Sequence, residues 1–183
     1  MDYHDREDHP VDEGAPNDWE KTVAAAVSAA TRIAVCGIGN DRRGDDAAGL
    51  LCLRKIQTNP PEKIPVGAGG GRPVVFIEGG ETPENETGRM RKFQPDLVLL
   101  IDAARGGRRP GEIFIVEKEM ISDEDVSTHR ISLSLLVRYL EESLGARVVF
   151  LGIEPGSTAI NGPVSAPVRT SVSLLADHLR RYL

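Results

Sequence analysis

Three side chains in this sequence combine a suitable chemistry with a suitable place: Asp46, Asp102 and His129. Asp46 ends the run Cys36-Gly37-Ile38-Gly39-Asn40-Asp41-Arg42-Arg43-Gly44-Asp45-Asp46, an apolar stretch that closes on Gly-x-Gly-Asn before two aspartates open a helical pattern. Asp45 reads as the N-cap of that helix, its carboxylate accepting free N–H groups of the first turn. Asp46 stands one position further in and is not needed as a cap. The positive end of the helix dipole keeps it ionised and ready for a cation. Asp102 follows the apolar residues Leu97-Val98-Leu99-Leu100-Ile101, where a carboxylate is costly unless hydrogen-bonded or bound to a cation. His129 precedes an amphipathic pattern, and a nearby helix N-terminus favours the neutral imidazole that a metal requires.

Competing chemistries fail on spacing. The third glycine of a dinucleotide fingerprint would fall at Arg42, and no Gly-Lys-Ser/Thr phosphate loop is present. Asp45 and Asp46 would repel a phosphate at that helix start. No Gly-x-Ser-x-Gly elbow or His-Glu-x-x-His helix occurs. Cys36 lies within a strand-like apolar run and reads as a small core residue rather than a nucleophile.

The elements that must position these residues follow from periodicity. Strand-like runs rich in Val, Ile, Leu or Phe span 32–39, 73–79, 97–103, 112–117 and 147–153. Helical patterns span 45–57, 83–93, 130–144 and 164–183, with a further Ala-rich helix capped by Asn17 or Asp18 and running to about residue 30. The third run, apolar at five successive positions, reads as a central parallel strand buried on both faces. Alternating strands and helices give a three-layer α/β/α sandwich with a five-stranded sheet. The connection 104–111 is too short for a parallel crossover. The sheet is therefore expected to be mixed and mostly parallel, with its fourth strand antiparallel to the third. The chain must then return across the sheet, and roughly ten extended residues before His129, about 30 Å of reach, would bring it beside Asp46 and Asp102. Two carboxylates and an imidazole would surround one open position, a three-ligand metal site with room for substrate.

Composition narrows the partners. Aromatic residues are 4% of the chain, too few for the stacking platforms of single-strand nucleic-acid binders. Residues 1–18 hold seven carboxylates against one base, Arg6, which accounts for the whole net charge of −6 and leaves the rest of the chain neutral. A neutral body gives no reason to expect nucleic acid. No apolar run approaches the roughly 20 residues of a membrane span, so no membrane partner is expected. Residues 1–16 read as a disordered acidic tail, His4 and His9 included, and 17–183 as one α/β domain. Two cysteines in apolar elements, Cys36 and Cys52, suggest a reduced cytoplasmic location. Residues 67–71 and 106–109 read as mobile loops, and Arg105, Arg108 and Arg109 as solvated charge in preference to a partner-docking patch.

Taken in order, Gly37-Ile38-Gly39-Asn40, Gly44-Asp45-Asp46, Gly79-Gly80-Glu81-Thr82-Pro83-Glu84-Asn85, Ile101-Asp102-Ala103, Thr128-His129 and Phe150-Leu151-Gly152-Ile153-Glu154-Pro155 resemble the [NiFe]-hydrogenase maturation endopeptidases. The Pro-Glu-Asn turn and Gly111-Glu112-Ile113 are most similar to the hydrogenase 3 branch, and the resemblance covers about residues 31–183. It implies the same three-layer fold and an endopeptidase that removes a C-terminal extension from the hydrogenase large-subunit precursor after nickel insertion. It places the family's metal-contacting residues on Asp46, Asp102 and His129, the same three being the catalytic candidates. The nickel would belong to the precursor and act as a recognition element. No tightly bound cofactor is implied, although Cd²⁺ or Zn²⁺ could occupy the site. Glu78 stands where the family often has aspartate. The competing expectations are a non-catalytic chaperone binding nickel or the large subunit on the same fold, and a nucleotide- or nucleoside-handling α/β enzyme sharing only Gly-x-Gly-Asn.

Overall fold

The structure is a computed structural model and describes residues 19–58, 72–122 and 130–183. The expected acidic tail, the Asn17 or Asp18 helix cap, the 67–71 loop and His129 lie outside the described residues.

The chain order is α1 (Trp19–Ala29), β1 (Ile33–Ile38), a 3-10 turn (Gly44–Ala47), α2 (Ala48–Thr58), β2 (Val74–Gly80), a second 3-10 turn (Pro83–Glu86), α3 (Thr87–Phe93), β3 (Leu97–Ala103), β4 (Ile113–Ile115), α4 (Lys118–Ser122), α5 (Arg130–Glu142), β5 (Arg147–Ile153) and α6 (Ala166–Tyr182). The sheet order is β2-β1-β3-β5-β4. All pairings are parallel except β4 with β5. The fourth strand thus runs against β3 as expected, but its neighbour is β5. The 104–111 connection carries it past β5 to the edge, and eight residues reach far enough for that without a helix.

Every residue of β1 and β3 is buried, as their unbroken apolar runs require. Alternate side chains serve two cores. Ile33, Val35, Leu97, Leu99 and Ile101 pack with α1, α2 and α6. Ala34, Cys36, Val98 and Leu100 pack with Met90 of α3 and with Leu133, Leu136, Val137 and Leu140 of α5. Cys36 and Cys52 fall in different cores, so the sheet separates two free thiols. Of the expected stripe, Val168, Val172, Leu175, Leu179 and Leu183 are buried, while Val164 is half-buried ahead of α6, which begins at Ala166 rather than at residue 164.

The expected helices 45–57 and 83–93 each open as a 3-10 turn, and two further elements differ from expectation. β4 spans three residues rather than six, although Val116 N–H to the Phe150 carbonyl (2.8 Å) and Glu154 N–H to the Glu112 carbonyl (2.9 Å) continue the ladder beyond it. The segment before His129 is not wholly extended, because α4 occupies Lys118–Ser122. Helical residues advance about 1.5 Å each against about 3.3 Å in a strand, so residues 118–122 advance less than the extended segment expected there. A Lys118–Glu141 ion pair at 2.8 Å ties α4 to α5.

Candidate functional site

The carboxyl edge of the parallel strands, where open α/β sheets place their ligands, is built from close backbone approaches. Gly49, in the first turn of α2, lies against β1 and β3 so tightly that a Cβ would stand 2.1 Å from the Ile101 carbonyl oxygen and 2.4 Å from that of Ile38. The 3-10 turn ahead of α2 packs on β3. Gly39, at φ +134°, lies where a Cβ would collide with the Asp46 carbonyl oxygen. The loop between them closes on itself: Asn40 N–H donates to the Asp46 carbonyl (3.3 Å), Asp46 N–H to that of Arg43 (3.0 Å), and Arg42 N–H to the Asn40 side chain (2.8 Å).

Both described site candidates stand on this edge. Asp46 is 3% exposed and Asp102 is 1% exposed, a degree of burial that carboxylates accept only with compensating partners. Asp102 is in register with Gly152 of β5 and accepts the Ala103 N–H at 2.8 Å. Its charge reaches the Cys36 thiol and helps to raise that group's pKa, after the larger effect of burial and that of Glu86. Gly152 has no room for a side chain, because the Phe114 ring and the Ala104 and Val116 methyls fill the space. Among the described residues no group of three or more His, Cys, Asp and Glu is arranged to hold a metal. The expected third member, His129, lies outside them.

Asp45 does not play its expected part. The residue flanking the 3-10 turn is Arg43, and no side chain caps it. The turn begins before Asp45, so its carboxylate cannot reach back over the first N–H groups. It serves another element instead. Fully buried, it accepts N–H groups of Gly156 (2.8 Å) and Ser157 (2.9 Å) on one oxygen and of Ser165 (2.6 Å) on the other. Burial pushes its pKa up, but the N–H groups of Ser165, Ser157 and Gly156 outweigh burial and hold it below the usual carboxylate value.

Two further charged residues at this edge gain roles that spacing alone did not reveal. Arg54 of α2 forks onto Glu78 of β2 (Nε–Oε1 2.9 Å, Nη2–Oε2 2.8 Å) and also holds both oxygens of Asp41 at 2.9 Å. Arg54, Glu78 and Asp41 line a cleft of about 540 Å³ together with Asn40, Arg42 and Glu81. Glu154, noted in sequence only as part of a resemblance, is 5% exposed and accepts the N–H groups of Gly106 (2.6 Å) and Arg108 (3.2 Å). The 106–109 loop, expected to be mobile, is therefore anchored to the end of β5. Arg108 is not merely solvated, since its guanidinium lies 4.9 Å from the centre of the Phe114 ring.

The Pro-Glu-Asn segment forms the second 3-10 turn, with the Asn85 amide donating to the Thr82 hydroxyl at 3.0 Å. A model of a protein family, described as hydrogenase maturation protease, matches residues 63–181. The chain belongs to the hydrogenase maturation protease family. It is 33% identical over 150 residues to the hydrogenase 3 maturation protease of Escherichia coli strain K12, covering 81% of this chain and 88% of that one. It superposes on the crystal structure of the [NiFe] hydrogenase maturation protease HycI from Thermococcus kodakarensis with TM-score 0.75 and 34% identity, covering 88% of this chain and 98% of the other. The solution structure of the endopeptidase HycI from Escherichia coli gives TM-score 0.69 and 31% identity, covering 82% and 90%. Membership makes this chain a hydrogenase maturation endopeptidase, a peptide-bond hydrolase, and sets aside the nucleotide-handling enzyme. Among the described residues no helix is long and apolar enough to cross a membrane.

Proposed function

We propose that this endopeptidase removes the C-terminal extension of a [NiFe]-hydrogenase large-subunit precursor after nickel insertion, in the cytoplasm, and that it recognises the nickel the precursor carries. Asp46, Asp102 and His129 contact that nickel, which is part of the substrate, so the enzyme needs no resident metal. The observation that carries this reading is the pair of buried carboxylates, Asp46 on its 3-10 turn and Asp102 on β3, at one edge of the sheet. Two carboxylates beside an imidazole suit a borderline divalent ion.

With the nickel held, the scissile peptide lies in the cleft beside the site. A carboxylate of the pair takes a proton from water, the oxygen adds to the carbonyl carbon, and the C–N bond breaks as the proton passes to the leaving amine. Polarisation of the carbonyl lowers the barrier to addition.

The test is an electrophoretic cleavage assay with nickel-loaded and nickel-free precursor, using wild-type protein and Asp46→Asn. Shortening of the nickel-loaded precursor by wild type alone is the expected result. Cleavage of both precursor forms would overturn nickel recognition. Binding of the cognate precursor without cleavage would favour the non-catalytic chaperone.

A further inference from the structure

The loop between β5 and α6 is laced to the turn that carries Asp46, and Asp45 is the knot. Its carboxylate accepts three N–H groups drawn from both ends of that loop, Gly156 and Ser157 at one end and Ser165 at the other. Asp45 N–H returns a bond to the Ser157 carbonyl at 2.9 Å, and Asn161 N–H donates to the Arg42 carbonyl at 2.6 Å. The fit leaves no slack. A Cβ on Gly44 would lie 2.7 Å from the Ser157 carbonyl oxygen, and one on Gly156 would lie 3.3 Å from the Asp45 carboxylate. On the other side the Asp46 backbone is bonded to Asn40 and Arg43. A single peptide unit separates the knot from Asp46, so whatever fixes Asp45 fixes the path on which Asp46 is presented.

We propose that Asp45 is a positioning residue for the cleavage reaction: by locking the β5–α6 loop onto the 3-10 turn it sets the orientation in which Asp46 meets the metal of the precursor. The proposal rests on the reading of Asp46 given above. In this role Asp45 acts through Asp46, because both oxygens of its carboxylate are engaged by the N–H groups of Gly156, Ser157 and Ser165. Its three acceptor bonds hold the turn on which Asp46 stands, and by analogy with the loss of groups that orient a metal ligand, their removal should weaken metal binding about tenfold.

Two substitutions test it from opposite sides. Asp45→Asn keeps the shape but turns an NH₂ toward backbone donors. Ser165→Pro removes one of those donors at a φ of −66°, the angle proline imposes, and sets a ring carbon against the Asp45 oxygen that accepted it. KM and kcat on nickel-loaded precursor, Cd²⁺ affinity by calorimetry and Tm are measured for both, for the double variant and for Asp46→Asn. The expected result for Asp45→Asn is a rise in KM and a loss of Cd²⁺ affinity of about tenfold or more, with kcat changed much less. Ser165→Pro shifts both in the same direction, and the double variant is no worse than Asp45→Asn because the two changes remove one shared bond. Wild-type KM and Cd²⁺ affinity in Asp45→Asn, with only Tm lowered, would overturn the proposal. If Asp45→Asn does not fold, the same outcome in Ser165→Pro overturns it. Wild-type cleavage by Asp46→Asn would overturn the reading of Asp46 on which it rests.

Discussion

The Arg54 guanidinium lies fork to fork against the Glu78 carboxylate, with both contacts below 3.0 Å. This accounts for an acid at position 78, where glutamate reaches an arginine one element away. The pair is 40% and 49% exposed, so its worth to stability is about 1 kcal/mol rather than the several of a buried pair. Its larger effect is geometric, because the same guanidinium holds Asp41 and so joins the loop after β1 to the end of β2. Arg54→Ala should lower unfolding stability in urea by about 1 kcal/mol and raise KM for the precursor while kcat holds. Arg54→Lys should behave like alanine in KM, since an ammonium cannot satisfy both forks. A lysine variant with wild-type KM would show that charge alone suffices there.

Gly49 offers a sharper contrast. Its carbonyl neighbours at Ile101 and Ile38 leave no space for a methyl group, so Gly49→Ala must push α2 away from β1 and β3 and carry the Asp46 turn with it. A loss of about 2–3 kcal/mol is expected from such overpacking, together with loss of cleavage. Gly88, on the exposed side of α3, has nothing within 4 Å of a built Cβ. Gly88→Ala should stabilise the protein by up to about 1 kcal/mol through helix propensity and leave cleavage intact. Thermal melts of the two variants side by side decide the matter.

What could be read in advance was local. β3 was legible to the residue because its apolar run is unbroken and ends on Asp102, and α5 and α6 were legible from stripes at helical spacing. The acid pair at 45–46 was visible too, but the division of labour within it was not. Asp45's donors lie 111 to 120 residues away, and no periodicity records a contact between the first loop of the sheet and the last. The Arg54–Glu78 bridge, 24 residues apart on a helix and a strand, was hidden for the same reason. Helix α4 is five residues long, too short to show a face. Glu154 followed an apolar strand much as Asp102 did, so the same burial argument could have marked it as a partner for nearby N–H groups.

The two thiols provide a chemical check on the peptidase mechanism. Burial, reinforced by the charges of Glu86 and Asp102, pushes the Cys36 thiol up to about 12, and burial pushes Cys52 up as well. Neither supplies appreciable thiolate near neutral pH. Native protein at pH 8 should therefore resist iodoacetamide for hours and retain full cleavage activity, whereas both cysteines should react at once in guanidinium chloride. Rapid native labelling accompanied by loss of cleavage would return Cys36 to consideration as a nucleophile.

The acid limb of stability should show at the opposite edge of the sheet, away from the chemistry. Asp96, just before β3, accepts the Thr31 N–H at 2.8 Å and the Arg32 N–H at 2.9 Å, and also the Thr31 hydroxyl. Partial burial raises its pKa, but these three donors outweigh burial and hold it below the usual carboxylate value. A carboxylate depressed in the folded state adds stability in full above its unfolded pKa of about 3.9, and that contribution fades as pH falls through the folded value. Asp96→Asn keeps one acceptor but sets an NH₂ against the Thr31 and Arg32 donors. Because the side chain is exposed, the loss at pH 7 should be modest, about 1 kcal/mol. Urea midpoints for wild type and variant should differ by a constant amount from pH 7 to pH 5 and converge below about pH 4. A gap that stays constant down to pH 3 would mean that the charge of Asp96 contributes nothing and that shape alone accounts for the effect.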